Sequence, residues 1–304
     1  MIKSKLLTLF FQKLVKDKDI RTFRGKVFYY IIFRLVRNFL AFDIIIKIYN
    51  FYIFGSINKN KTSYFLLKKC EFGDFHELSV IEKFSKKNKI FLLDCGCNYG
   101  FYSFYTASLS PDNLIISIEA SKNTSIQFLK NLDLNYFKNV YLKNRALSNT
   151  DDDIISFNES LNDWESSQTH NDFKDYSVIK VKTLKIDTLI KNYDFKNFMP
   201  IIKLDVEGNE INVIDGALNF IKNTSPLIII EFSKFTFDIQ FNINYLKDFL
   251  VKYDYSIYND KNEMLSFDII LVKLKQLKKN YKTIGNYYLI KNSSKTMEEF
   301  LSNE

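Results

Sequence analysis

Glycine and proline are scarce in this sequence: its 304 residues hold 8 Gly, 3 Pro, 3 Cys, 2 His and 1 Trp. A chain so poor in Gly and Pro is neither collagen-like nor a Pro/Gly-rich disordered segment. The three cysteines, Cys70, Cys95 and Cys97, are an odd number in a long chain and build no disulfide framework, so a reducing compartment is expected. Long apolar runs are missing as well. The run at 6–11 is short and no small-residue cleavage site follows it, which argues against a secretory leader and for the cytoplasm. Arg34, Arg37, Asp43 and Lys47 interrupt the Ile/Phe/Tyr-rich stretch 27–54 well before the ~18–20 apolar residues that a spanning helix needs.

What is present supports a folded core: 46% of residues are hydrophobic and 26% charged. Only five Ala and five Arg occur, a skew that A/T-rich codons produce without selection on function. The net charge of +8 is concentrated in residues 1–50, which carry 11 Lys/Arg against 3 Asp and leave 32 residues of each sign in the remainder. A neutral body excludes a domain-wide nucleic-acid footprint. The basic stretch 27–54 reads as one or two amphipathic helices. These either lie on an anionic membrane surface, with residues 1–60 as the contact, or cap the main domain through their apolar faces.

From residue 88 onward, short apolar runs alternate with helical patterns. Strands are expected at 89–94, 114–119, 140–143, 200–205 and 226–231, with helices at 101–109, at 121–132 behind a Ser121 cap, and at 209–222. This alternation predicts an α/β fold with a mostly parallel, doubly wound sheet. Residues 255–258 and 267–272, with a turn at 259–262, are expected to form an antiparallel edge hairpin. The segment 150–177 is polar and holds Trp164 and His170, as a binding loop does. The chain thus divides into a helical N-terminal extension (1–85), the α/β domain (86–274) and a Lys-rich tail (275–304) read as a solvated helix or disorder. No internal repeat is found.

Chemistry concentrates at the strand ends. Asp94, Glu119, Asp205 and Glu231 each close an apolar run, and in open parallel sheets ligands sit beyond the carboxyl ends of the strands. The strongest signal is DCGCNYG at 94–100. Gly96 removes a side chain at a tight turn, Asn98 tolerates left-handed dihedrals, and Gly100 lets the next helix approach the sheet. This turn is neither a G-x-G-x-x-G fingerprint nor a P-loop. Its leading acid suits a ligand with a cationic amino-acid group. Glu119, 25 residues later, is placed to accept bonds from ribose hydroxyls. An adenosyl group with a cationic amino-acid tail describes S-adenosylmethionine.

Those blocks, together with SIEA at 117–120, RALS at 145–148, TLKIDTL at 183–189, IKLDVEGNE at 202–210, GAL at 216–218 and IIIE at 228–231, resemble the FkbM family of S-adenosylmethionine-dependent methyltransferases over about residues 90–232. The resemblance implies a class I Rossmann-like fold and O-methylation of a hydroxyl on a sugar, polysaccharide or secondary metabolite. It places the donor on Asp94, Gly96, Asn98, Gly100, Glu119 and Ala146. Ala120 stands where the family usually has Pro, and Lys185 where it usually has a second acid. Cys95 and Cys97 are read as small buried thiols.

For methyl transfer, Asp205 is the first candidate facing the methyl. Glu207 and the loop residue His170 are further candidates for the base, and Glu210 is read as a first-turn acid of the next helix. Asp205, Glu207 and Glu231 leave Mg²⁺ as an alternative, although no metal-specific spacing marks a site. Lys203 reads as an ion-pair partner. The competing readings are a nucleotide-sugar transferase or dehydrogenase on a similar sheet, and a non-catalytic membrane-associated protein that kept the fold.

Overall fold

The computed structural model describes residues 43–56, 74–160, 176–233, 236, 240–277 and 283–302. The elements in chain order begin with the strands β1 (Asp43–Ile48) and β2 (Phe51–Ser56) and helix α1 (Phe75–Ser85). The alternating part follows with β3 (Lys89–Cys95), α2 (Phe101–Leu109), β4 (Leu114–Ile118), α3 (Lys122–Asn135) and β5 (Val140–Lys143). Next come β6 (Ala146–Leu147), β7 (Ile154–Ser160), β8 (Tyr176–Leu184), the single turn α4 (Ile186–Leu189) and β9 (Phe198–Leu204). The last third holds α5 (Glu210–Asp215), α6 (Leu218–Thr224), β10 (Leu227–Ser233), α7 (Gln240–Tyr253), β11 (Tyr255–Tyr258), β12 (Met264–Leu265), α8 (Phe267–Lys275), β13 (Thr283–Lys291) and α9 (Lys295–Leu301).

The main sheet has the order β12-β11-β13-β10-β9-β3-β4-β5. Strands β10, β9, β3, β4 and β5 are mutually parallel, and β13 runs antiparallel between β10 and β11. The near-continuous apolar composition of the inner strands follows from burial on both faces. Side chains alternate between two cores. Ile90, Leu92, Ile115, Ile201 and Ile229 pack under α1, α2, α3 and α9. Phe91, Leu93, Ile116, Ile202, Ile228 and Ile230 pack under α4 to α8. Order reverses between β3 and β9, since β4 and β5 extend to one side and β9 and β10 to the other. That switch point is where an open α/β sheet leaves a crevice. A small sheet, β6-β8-β7, flanks it.

Several expectations need correction. The stretch 43–56 is a β-hairpin, not helix. Ile46, Ile48, Phe51 and Ile53 are buried there, and this β-branched and aromatic content suits a half-buried strand better than a helix. The hairpin caps the domain: the carbonyl oxygens of the Asn131 and Asn135 side chains, one turn apart on α3, accept the backbone N–H groups of Phe54 and Tyr52 at 2.7 and 2.6 Å. The rest of 1–42 lies outside the described residues.

Residues 267–272 belong to α8, not to a hairpin strand; the short partner of β11 is β12. A brief apolar run fits helix or strand equally by periodicity, and only packing decides. Residues 283–302 are no solvated tail. Tyr288, Leu289 and Ile290 of β13 and Phe300 of α9 are buried in the main domain. The polar segment 150–177 likewise enters the ordered strands β7 and β8 at its ends.

Candidate active site

The turn after β3 is set by backbone contacts. Gly96 and Cys97 both donate to the Ile118 carbonyl, at 2.9 and 3.0 Å, and Gly100 donates to the Cys97 carbonyl at 2.8 Å. Gly96 has φ +79, and a Cβ there would lie 1.8 Å from the Asp205 carbonyl oxygen. Its missing side chain therefore makes room for the neighbouring loop after β9. Asp205 N–H in turn donates to the Cys95 carbonyl at 3.0 Å. The two strand-end loops are thus sewn together side by side. At Gly100 (φ +93) a Cβ would meet the Phe104 and Phe128 rings at 2.4 and 2.8 Å, so glycine is needed for the approach of α2 to its neighbours.

A pocket of about 330 Å³ opens above these loops, within the usual size of a small-molecule site. Asp94, Gly96, Asn98, Glu119, Ala146, Asp205 and Glu207 all line it. Gly100 shapes the turn without being part of the lining, and His170 lies outside the described residues, as do Trp164 and Cys70. Ile118, Ala120, Leu147 and Phe157 give the pocket an apolar side. Arg145, which opens the RALS block, also reaches it, as does Asp74 before α1. Asp74 was not singled out in the sequence, because only the packing of α1 brings it to the crevice.

Glu119 is buried at the end of β4. Its Oε1 accepts Ser121 N–H at 2.8 Å and its Oε2 accepts Asn98 N–H at 3.1 Å. A carboxylate offers about four lone-pair positions, so both oxygens retain acceptor capacity toward the pocket. Burial raises this carboxyl to about 7, against the lowering effect of the two N–H groups. Asp94 is 1% exposed. Its Oδ2 accepts both the backbone N–H and the hydroxyl of Ser103, and the hydroxyls of Ser103 and Ser117 lie 2.7 Å apart. Burial raises Asp94 to about 6, opposed by Ser103 and Lys203. One of its oxygens is therefore committed to the start of α2. Cys95 and Cys97 are buried thiols whose ionisation burial pushes up further, so they stay neutral.

On the other side of the pocket, Asp205, Glu207 and Glu231 each bring one oxygen within 4.8 Å of the others. Glu207 sits at φ +54 in the turn after β9. Glu210 holds that turn: its Oε1 accepts Val206 and Gly208 N–H at 3.3 and 3.0 Å, and its Oε2 accepts the Thr236 hydroxyl at 2.9 Å. It is a buried clamp rather than an exposed first-turn acid. Burial, then Asp205, drive Glu231 upward, with Lys203 opposing. Asp187, in the TLKIDTL block, caps α6 by accepting Asn219 and Phe220 N–H at 3.0 and 2.8 Å.

The parallel order around β3, the glycine turn and the acid closing β4 define the class I methyltransferase fold. A family model described as the methyltransferase FkbM domain matches residues 94–257, over half of the chain, and the chain belongs to that family. Among solved structures, the chain is similar to a methyltransferase FkbM from Methylobacillus flagellatus KT, with 16% identity and a TM-score of 0.39, over 66% of this chain and 43% of that one. A precorrin-6y C5,15-methyltransferase from Geobacter metallireducens GS-15 shares 10% identity at a TM-score of 0.36, over 70% and 84% of the two chains. An rRNA methylase from Streptococcus thermophilus shares 9% at 0.39, over 71% and 93%. The chain thus spans less than half the length of the FkbM structure. No curated protein matches this chain. Among the described residues no helix is long and apolar enough to cross a membrane.

Proposed function

We propose that the chain is an S-adenosylmethionine-dependent O-methyltransferase acting on a hydroxyl of a sugar, polysaccharide or secondary metabolite. The observation that carries this reading is the convergence of the glycine turn, Glu119 and the Asp205–Glu207–Glu231 group on one pocket of about 330 Å³. The residues present fit the donor. Glu119 has acceptor capacity for ribose hydroxyls, and the apolar side formed by Ile118, Ala120, Ala146, Leu147 and Phe157 suits a flat base. Asp94 supplies negative potential beside the turn, where a cationic amino-acid group would be favoured.

Bound, S-adenosylmethionine supplies an electrophilic methyl on a sulfonium. This chain's part is to orient the acceptor and take its proton, and positioning accounts for much of the rate in such displacements. Asp205 or Glu207 is proposed to take the proton of the acceptor hydroxyl; the bound donor would supply the methyl and leave as the neutral thioether as its carbon–sulfur bond breaks. Asp74 before α1, which lines the pocket, is proposed to face the acceptor, and His170 is kept as a candidate for the base. The chain is proposed to work in the cytoplasm without nucleic acid as partner, with residues 1–42 as the candidate for peripheral membrane contact.

Isothermal titration of the full chain with S-adenosylmethionine tests the donor assignment. Binding in the micromolar range that Glu119→Ala abolishes supports it; binding of NAD or a nucleotide sugar instead rejects it. Transfer of a labelled methyl group to isolated polysaccharide or to small hydroxylated metabolites then identifies the acceptor.

A further inference from the structure

We propose that Glu159, on β7, is a positioning residue for the donor site: from behind the pocket wall it holds the turn between β4 and α3, so that Glu119 presents its free acceptor positions to the ribose. The inference deepens the proposed function and rests on that reading for the role of Glu119. Glu159 is 4% exposed and stands outside the pocket lining, whereas Phe157, two positions earlier and so on the same face of the strand, lines the pocket. The Glu159 carboxylate takes three hydrogen bonds from the start of α3. Its Oε1 accepts the Ser121 hydroxyl at 2.7 Å and Asn123 N–H at 3.2 Å, and its Oε2 accepts the Asn123 side-chain amide at 2.7 Å. Ser121 is the link. Its hydroxyl donates to Glu159 and accepts Thr124 N–H at 3.1 Å, while its own N–H donates to Glu119 Oε1 at 2.8 Å.

A carboxylate at the first turn of a helix satisfies N–H groups that have no partner within the helix, and the dipole favours it. That alone would be a cap. Glu159 differs because it comes from the small β6-β8-β7 sheet, not from the main sheet whose strand β4 leads into Glu119, and because it closes on the residue that holds Glu119. Between Glu119 and Ser121 stands Ala120, which imposes no φ of its own as a proline would. The turn is therefore fixed from outside, by the packing of Ala120 against Ala146, Phe157 and Val181 and by the bonds of Glu159 to Ser121 and Asn123. A ligand-facing group keeps its geometry only when its support is itself tied down. Glu159 also acts on Glu119 by charge. Glu119 faces Asp94 from β3, the Cys97 thiol from the glycine turn and Glu159 from β7; β5 meets it through the Lys143 carbonyl, and Arg145 from the β5–β6 connection lines the same pocket. Burial raises the proton affinity of Glu119 most, the N–H groups of Ser121 and Asn98 lower it, and Asp94 and Glu159 add to the rise.

The test compares the full chain with Glu159→Ala, Glu159→Gln and a control, Asp187→Ala, which strips a carboxylate cap from α6 outside the pocket lining. Isothermal titration with S-adenosylmethionine is run at about pH 8.5, above the point of about 7 to which burial raises Glu119. Glu159→Ala should weaken donor binding about tenfold, with the rate at saturating donor changed less than about threefold. Glu159→Gln, whose carbonyl keeps the bonds from Ser121 and Asn123 N–H, should stay within about threefold of the native affinity. Asp187→Ala should lose stability but not affinity. Native affinity in Glu159→Ala, or an equal loss in Asp187→Ala, overturns the proposal. Carbon NMR of chain labelled at the Glu carboxyl carbons, with no donor added, reads the link independently: the Glu119 midpoint should move to lower pH in Glu159→Gln, and an unmoved midpoint overturns the proposal. Should Glu159→Ala not fold, Glu159→Asp takes its place. It keeps the charge but draws the carboxylate back by one methylene, so donor binding should again weaken, and native affinity overturns the proposal. Failure of the native chain to bind S-adenosylmethionine would reject the proposed function but leave the Glu119 titration readable, so the two failures are distinct.

Discussion

Replacing Gly96 by Ala tests the way in which the two strand-end loops are joined. The new Cβ would fall 1.8 Å from the Asp205 carbonyl oxygen and 2.9 Å from its carbonyl carbon, and the residue would have to hold φ +79. Backbone cannot swing aside as a side-chain tip does. A left-handed conformation costs a non-glycine residue roughly 1–2 kcal/mol, and forced overpacking adds roughly 1–3 kcal/mol. The sum is about 2–5 kcal/mol of stability. Gly285→Ala is the control, because that glycine also has a positive φ, +98, but nothing lies within 4 Å of its added Cβ. Only the conformational cost of roughly 1–2 kcal/mol applies there. Urea unfolding of both variants isolates the steric part as their difference. Moving the Asp205 carbonyl also disturbs the bond from Asp205 N–H to Cys95, so Gly96→Ala should lose donor binding while Gly285→Ala keeps it. Equal stabilities of the two variants would refute the idea that Gly96 is required by contact with the loop after β9.

Other expectations follow from the same geometry. Glu119→Ala removes a charged acceptor and leaves the Asn98 and Ser121 N–H groups without it; donor affinity should fall at least about tenfold, corresponding to roughly 1.5–3 kcal/mol, as measured by calorimetry. Because Glu119 is raised to about 7 from its ordinary 4.5, the fold binds this proton more tightly than the unfolded chain does. Its contribution to stability is therefore fully present below pH 4.5 and fades as pH rises through about 7, so unfolding experiments across this window should show a decline that Glu119→Gln flattens. Donor affinity should move the opposite way, rising through about pH 7 as the carboxylate forms. Asp205→Asn should lower methyl transfer by ~10²–10⁴ with donor affinity altered only a few-fold, which combined rate and binding measurements would read. Glu210→Ala strips the acceptor from Val206, Gly208 and Thr236 and should cost about 1–3 kcal/mol or more in denaturant unfolding.

Local pattern alone determined the strands β3, β4, β5, β9 and β10 and the helices α2 and α3, because strands buried on both faces must be apolar and the intervening helices amphipathic; it missed β6, β7 and β8 and merged α5 and α6 into one helix. It also determined the glycine turn and the strand-end acids, since tight turns and ligand edges restrict residue type within a few positions. What it could not determine was anything set by distant packing. The hairpin at 43–56 owes its place to amides on α3, more than seventy residues away in the chain. Strand β13 is inserted between β10 and β11 although it follows both in sequence. Gly96 answers to the carbonyl of Asp205, and Lys203 to Asn286 and to the acids near α1. The types of residue at the pocket were legible because chemistry constrains them locally. Their neighbours were not, because contact across the sheet depends on strand order, and strand order leaves no periodic trace in a single chain.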